Sequence, residues 1–231
     1  MAIAIIPARG GSKRIPRKNI RPFCGQPMLA YAINAAKAAG CFSQIVVSTD
    51  DEEVACVARQ LGADVPFLRA ASLADDHTGT TPVVIDAIRR LDELGVTSDH
   101  YCCIYATVPL IQADDLKEAH QRLLASQAPF VYTVAEFGFP IQRAVRMDEQ
   151  GRVTPFWPEQ MAKRSQDLEP AYQDAGQFYW GSRAAWLGGI SPVGGEGIGH
   201  ILPRHRVVDI DTPEDWHLAE LLYRVLHQHD V

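Results

Sequence analysis

The sequence lacks the patterns that mark the common nucleotide modules. Neither GxxxxGK(S/T) nor GxGxxG occurs, which removes most of the support for a kinase-like P-loop or a dinucleotide-binding motif. Its five cysteines, Cys24, Cys41, Cys56, Cys102 and Cys103, are odd in number and form no CxxC pair, so they read as reduced thiols and not as a disulfide framework. No apolar run reaches the roughly 18 residues that cross a bilayer, and the first residues carry no charged segment followed by an apolar one. These absences predict a cytoplasmic protein with no membrane partner. Cations are not in excess either, the formal net charge being -6. With no Lys/Arg-rich tail, nucleic acid is excluded as the expected partner.

Against that background one basic segment stands out. An apolar run ending at Pro7 leads into Ala8-Arg9-Gly10-Gly11-Ser12-Lys13-Arg14-Ile15-Pro16-Arg17-Lys18-Asn19. Glycines let backbone N–H groups approach an anion, and Arg9, Lys13, Arg14, Arg17 and Lys18 add cations beside them. Open α/β sheets bind ligands at the carboxyl ends of their strands, so a cation cluster there in a net-negative chain predicts a polyphosphate site. A solvated basic turn is the alternative.

With 231 residues and 47% hydrophobic content, the chain can bury one full core as a single domain. Apolar runs at Ala2–Pro7, Gln44–Ser48, Tyr101–Ala106, Phe130–Val134 and Arg206–Ile210 predict strands, the first three continuous enough to be covered on both faces. They alternate with helical patterns at Pro27–Ala39, Asp51–Leu61, Thr80–Leu94, Asp114–Ala125 and Pro213–His227, the first three followed by Gly40, Gly62 and Gly95 as stop signals. The expected fold class is therefore α/β, a three-layer α/β/α sandwich around a mostly parallel sheet. Residues 136–172 break the rhythm with a hairpin around Gly151 and exposed-looking Phe156 and Trp157. This arm is expected either to pack on a second subunit or to fold over its own active site.

Near the C-terminus, Val207-Val208-Asp209-Ile210-Asp211-Thr212 places two carboxylates at i and i+2, on one face of an extended segment. Such a pair suits Mg²⁺, which accepts one or two carboxylates and completes its shell with water and phosphate. Asp211 could instead serve the dipole of the following helix, whose start reads as a capping box, Thr212-Pro213-Glu214-Asp215.

Four segments occur in order over nearly the whole chain: Ile5-Ile6-Pro7-Ala8-Arg9-Gly10-Gly11-Ser12-Lys13 with Lys18-Asn19-Ile20; Val47-Ser48-Thr49-Asp50-Asp51-Glu52-Glu53-Val54-Ala55; Phe67-Leu68-Arg69 with Leu73-Ala74-Asp75-Asp76 and Thr78-Gly79-Thr80-Thr81; and Asp209-Ile210-Asp211-Thr212. Together they resemble the CMP-sialic acid synthetase family of cytidylyltransferases. The resemblance implies a Rossmann-like nucleotidyltransferase fold, a homodimer, and attack of the anomeric hydroxyl of a nine-carbon acidic sugar on the α-phosphorus of CTP. It further implies that Arg9, Ser12 and Lys13 hold the triphosphate within a nucleotide-binding set that includes Ala8, Gly10, Gly11 and Asn19. Arg69 and Thr80 would line the cytidine pocket, Asp209 and Asp211 would bind Mg²⁺, and Arg9, Lys13 and Asp211 would be the catalytic residues.

Within the family, Phe23-Cys24-Gly25-Gln26-Pro27-Met28, Val65-Pro66-Phe67-Leu68-Arg69 and Asp174-Ala175-Gly176-Gln177-Phe178-Tyr179-Trp180-Gly181 resemble the branch that acts on pseudaminic acid. The Gln-Pro-Thr-Ser-Pro stretch of sialic acid synthetases is replaced by Tyr105-Ala106-Thr107-Val108-Pro109. The resemblance suggests Gln177 and Tyr179 as acceptor contacts, an ordinary strand being the equal alternative. The sugar's carboxylate would need a cation, which Arg143 or Lys163 on the arm could supply. Legionaminic acid, N-acetylneuraminic acid and Kdo remain alternative acceptors. A nucleotidyltransferase of another base and a nucleotide-binding protein without turnover remain more distant readings.

Overall fold

The structure, a computed structural model, describes residues 1–75 and 78–227; Asp76 of the third motif lies outside them. In chain order, β1 (Ala2–Pro7) leads through the basic loop to a hairpin of β2 (Pro22–Phe23) and β3 (Gln26–Pro27), then α1 (Met28–Ala39), β4 (Phe42–Ser48), α2 (Glu52–Gln60) and α3 (Thr80–Glu93). There follow β5 (His100–Ile104), α4 (Ala113–Ala125), β6 (Phe130–Glu136), a second hairpin of β7 (Val145–Met147) and β8 (Val153–Pro155), and β9 (Tyr172–Ser182). The chain ends with α5 (Arg183–Leu187), β10 (Ile198–Leu202) and α6 (Pro213–Leu226).

Six strands form the central sheet in the order β10-β6-β9-β5-β1-β4. The alternation of side chains explains why its strands read as continuous apolar runs. Ala2, Ala4 and Ile6 of β1 face Leu29, Ala32, Ile33 and Ala36 of α1, with Leu116, Ala119 and Leu123 of α4 in the same apolar layer. Ile3 and Ile5 face the other way, into a layer with Val84, Ala87, Ile88 and Leu91 of α3. Both faces of β1 are thus dry, and the expected α/β/α sandwich is present. Helix α6 belongs to a third apolar cluster beside the sheet, where Trp216 and Ala219 meet Ile15, Phe23, Met28, Tyr31 and Ile210.

One expectation needs correction. Residues 206–210 are not a strand: a short 3₁₀ turn spans Arg204–Arg206 and the chain then runs extended outside any ladder. The edge strand is β10 instead, parallel to β6. Its apolar pattern is interrupted by Gly199, where a Cβ would come within 2.9 Å of Val134. The sheet is mostly parallel, as expected. Strand β9 runs antiparallel to both β5 and β6 in the middle of the sheet, while β10/β6, β5/β1 and β1/β4 are parallel.

In one layer, the His120 ring of α4 stacks on Trp180 of β9 with centroids 4.2 Å apart. Burial, reinforced by His100, pushes the His120 imidazolium down to about 4. A folded-state value below that of the unfolded chain means stability present near neutrality and lost as pH falls. The melting temperature is expected to drop between about pH 6.5 and pH 4. His120→Phe, which keeps the stacked ring, should flatten that part of the profile; an identical profile in the variant would exclude His120 as the cause.

Candidate active site

A cleft of about 620 Å³ opens at the carboxyl ends of β1 and β5. The cations Arg9, Lys13, Arg14 and Lys18 line it together with Asp209, Asp211, Arg69, Thr80 and Tyr105. Residues more than a hundred positions apart in sequence thus converge where open α/β sheets place their ligands.

The basic loop is shaped by internal bonds before any ligand arrives. Asn19 is buried, its Nδ2 donating to the Arg9 carbonyl at 2.8 Å, while the Leu29 N–H reaches the Asn19 carbonyl at 2.8 Å. Ile15 anchors the middle of the loop in the third apolar cluster. The Ala8 N–H donates to the Ser48 carbonyl at 2.9 Å and the Gly10 N–H to Asp50 Oδ1 at 3.1 Å. These two expected backbone contacts are therefore already engaged by protein acceptors, leaving the side chains to present positive charge.

The five cations are not equivalent. Arg17 does not line the cleft; its guanidinium grips Asp51 through Nη1 at 2.6 Å and Nη2 at 3.1 Å and also pairs with Glu53. Arg17 adopts φ 57 to do so, a left-handed conformation that few side chains take. Asp51 in turn caps α2, Oδ1 accepting from the N–H groups of Glu53 and Val54 at 2.9 and 3.0 Å. The Arg17 hydrogen bond, aided by those N–H groups, holds the Asp51 carboxyl down at about 2.

Across the cleft, Lys18 Nζ donates to the Ile210 carbonyl at 2.6 Å and lies 3.6 Å from Asp211. Arg14 reaches Asp211 at 2.9 Å. Ile210 between the two aspartates is buried among Ile15, Phe23 and Trp216, which turns its neighbours toward the cleft. The predicted capping box forms, Asp215 Oδ2 accepting from the Asp211, Thr212 N–H and Thr212 Oγ1 donors while Thr212 Oγ1 accepts from the Asp215 N–H. Desolvation, then the Asp211 charge, raises the Asp209 carboxyl above its ordinary range, with Lys18 opposing. Burial lowers the Lys18 ammonium, the two aspartates working against it. Among the described residues no group of three or more His, Cys, Asp or Glu could hold a metal. The donor set is thus two hard oxygens in an open cleft, which fits Mg²⁺ with its water and phosphate ligands.

Arg69 is buried with its Nη2 3.7 Å from Asp50 Oδ1, and its Nε and Nη2 have no hydrogen-bond acceptor among the described residues. Burial disfavours its charge, Asp50 restoring part of the loss. Thr80 opens α3 and its Oγ1 lies 3.2 Å from the Tyr105 hydroxyl. The two expected acceptor contacts part company. Tyr179 borders a smaller cavity of about 200 Å³ that shares Thr80 and Tyr105 with the main cleft, and its hydroxyl donates to Asp174 at 2.7 Å. Gln177 is not brought to either cavity: it is buried, its Nε2 donating to the Arg206 carbonyl at 2.6 Å. Arg143 donates to the Lys163 carbonyl, and both stay on the exposed arm outside the cleft lining. Arg14 and Lys18 belong to the cation run that predicts a polyphosphate site, but their contact with Asp211 is visible only in the fold, as is the place of Tyr105 between the cavities.

Two solved structures share the fold: CMP:2-keto-3-deoxy-manno-octonic acid synthetase complexed with CTP, at TM-score 0.69 and 17% identity with 98% of each chain covered, and 4-diphosphocytidyl-2C-methyl-D-erythritol synthase from Anaerococcus prevotii, at TM-score 0.62 and 12% identity with 95% and 96% covered. The cytidylyltransferase family model matches residues 3–177, and the chain belongs to that family. It is 45% identical over 226 residues to a pseudaminic acid cytidylyltransferase of Campylobacter jejuni, covering 98% of this chain and 97% of that protein. It is 33% identical over 227 residues to a CMP-N,N'-diacetyllegionaminic acid synthase of Legionella pneumophila, covering 95% of each.

The two loop glycines provide a test. A Cβ at Gly10 would lie 2.5 Å from Asp51 Oδ2, which Arg17 and the α2 cap hold in place, whereas a Cβ at Gly11 meets nothing within 4 Å. Gly10→Ala is expected to cut kcat/KM for nucleotide by at least about tenfold, and Gly11→Ala to stay within about threefold of the parent. Equal effects of the two changes, read by steady-state kinetics, would refute this account of the loop.

Proposed function

We propose that this cytidylyltransferase transfers CMP from CTP to the anomeric hydroxyl of pseudaminic acid, releasing pyrophosphate. The observation that carries the reading is that Arg9, Lys13, Arg14 and Lys18 line one cleft with Asp209 and Asp211, Arg14 and Lys18 meeting Asp211 directly. The substrate assignment is supported by the 45% identity, nearly end to end, with a relative named for that reaction. A legionaminic acid is the second reading, favoured by the 33% relative.

In the proposed mechanism the acceptor oxygen forms a bond to the α-phosphorus as the bond to pyrophosphate breaks, and the hydroxyl proton passes to solvent. Asp209 and Asp211 would hold Mg²⁺, which when bound polarises the α-phosphate and lowers the pKa of the attacking hydroxyl. Arg9, Ser12 and Lys13 bind the β- and γ-phosphates and neutralise the charge that builds on the leaving group. Asn19 keeps the loop at the right height by holding the Arg9 carbonyl, and Arg69 and Thr80 bind the cytidine. Tyr179 meets the acceptor from the smaller cavity. The Arg14 and Lys18 contacts to Asp211 pre-balance its charge before substrate arrives.

The test is pyrophosphate release from CTP, UTP, GTP or ATP with Mg²⁺ and pseudaminic acid, legionaminic acid or N-acetylneuraminic acid. CTP with pseudaminic acid is expected to be the productive pair. Another base, another sugar, or binding without turnover would overturn the respective part of the proposal. Asp211→Asn should keep the fold yet lose at least about 100-fold in kcat; near-normal kcat at saturating Mg²⁺ would remove the metal assignment.

We also propose a cytoplasmic homodimer built through the arm. Among the described residues no helix is long and apolar enough to cross a membrane. The arm exposes Phe139 at 86%, Met147 at 72% and Val153 at 62%, more apolar surface than a lone hairpin leaves in water. Arg146 covers Phe156 at 5.0 Å, giving the patch a cationic edge. Met147→Asp with Val153→Asp is expected to convert a dimer into a monomer in sedimentation velocity; a parent that sediments as a monomer, or a double variant that remains dimeric, would exclude this interface.

A further inference from the structure

The segment that carries Asp209 and Asp211 has no sheet ladder to fix it. The described contacts secure its two ends. At the far end, Ile210 sits in the apolar cluster, its carbonyl taken by Lys18 and the following N–H groups by Asp215. At the near end everything converges on Arg206. Its carbonyl accepts from Gln177 Nε2 at 2.6 Å, and its guanidinium reaches Asp115 at the start of α4 through Nη1 and, at 3.4 Å, through Nη2. His200 Nε2 of β10 lies 3.1 Å from the same Asp115.

These groups are withdrawn from water, with Gln177 4% and His200 6% exposed. A partly buried amide hydrogen bond and a partly buried ion pair favour a single geometry because breaking either leaves a largely desolvated polar group unpaired. Gln177 spends its donor on Arg206 while its Oε1 has no hydrogen-bond partner among the described residues. Neither Gln177 nor Asp115 lines a cavity of the site. Burying a glutamine in the middle of a sheet strand for one backbone carbonyl makes sense if that carbonyl must stay where it is.

We infer that Gln177, with the Asp115–His200–Arg206 cluster, is a positioning residue: it fixes the entry to residues 207–211 so that Asp209 and Asp211 meet the basic loop at catalytic distance. Gln177 acts through the backbone and does not touch the acceptor sugar. The inference rests on the cytidylyltransferase reading for its kinetic consequence, but not for its structural one.

The experiment pairs hydrogen–deuterium exchange on the metal-free, substrate-free protein with steady-state kinetics. Gln177→Met keeps length and volume and removes the donor. Arg206→Lys keeps a cation beside Asp115 and loses the forked contact, and it serves should the first variant not fold. Amide exchange in residues 207–211 is expected to accelerate at least about tenfold in both, with the central sheet unchanged. In Gln177→Met, kcat should fall roughly 10- to 100-fold while the KM for acceptor sugar stays within about twofold. Unchanged exchange, or a raised acceptor KM at normal kcat, would overturn the inference and return Gln177 to the substrate. Absence of turnover in the parent would instead defeat the functional reading, and the exchange result would still decide the positioning role.

Discussion

The cleft depends on a contact between the two ends of the chain. Lys18 on the first loop donates to the carbonyl of Ile210, 192 residues away, and Arg14 and Lys18 share the Asp211 carboxylate. Each side of this contact would be unfavourable alone. A dense cluster of cations repels itself, and two carboxylates at i and i+2 do the same: burial first, and then the Asp211 charge, raises the Asp209 carboxyl. Set against one another in a half-buried cleft, they compensate. Apolar packing sets where they meet: Ile15, next to Arg14, and Ile210, between the aspartates, enter the same cluster with Trp216. The hydrophobic effect thus sets the place and electrostatics the alignment.

The same economy governs the loop. Asp51 caps α2, binds Arg17 and stands where a side chain at Gly10 would have to go. A glycine is required at that position by the close approach of another element, not by its own φ. The loop therefore reaches its final shape through bonds to β4 and α2, with Asp50 taking the Gly10 N–H. A preorganised cation cradle of this kind does not have to reorganise at the moment of reaction.

Much of this was legible in the chain. The buried strands and sheet-covering helices announced themselves because β1 and β5 are apolar on both faces and the helices carry one apolar stripe ended by glycine. The capping box at Thr212–Asp215 needed only its four residues. What misled was Val207-Val208 and Ile210, whose hydrophobicity suggested a strand although Val208 and Ile210 serve a cluster beside the sheet and Val207 packs on Ala135, Ala175 and Leu202. Strand β10, interrupted by Gly199, went unseen for the opposite reason.

The sequence by itself determined the chemical inventory: the run of cations after β1, the aspartate pair before α6, and the apolar periodicities that build the sandwich. Only the tertiary structure decided which members of that inventory act together. Arg17 and Arg14 are both arginines of one loop, yet one is held by Asp51 on the protein side and the other faces Asp211 in the cleft. Gln177 and Tyr179 are two residues apart on one strand, yet Gln177 lies under Arg206 and Tyr179 beside a cavity. Local sequence encodes what a residue can do because that depends on its own atoms. Whether it does so depends on desolvation and on partners brought from distant segments, and those exist only after the chain has folded.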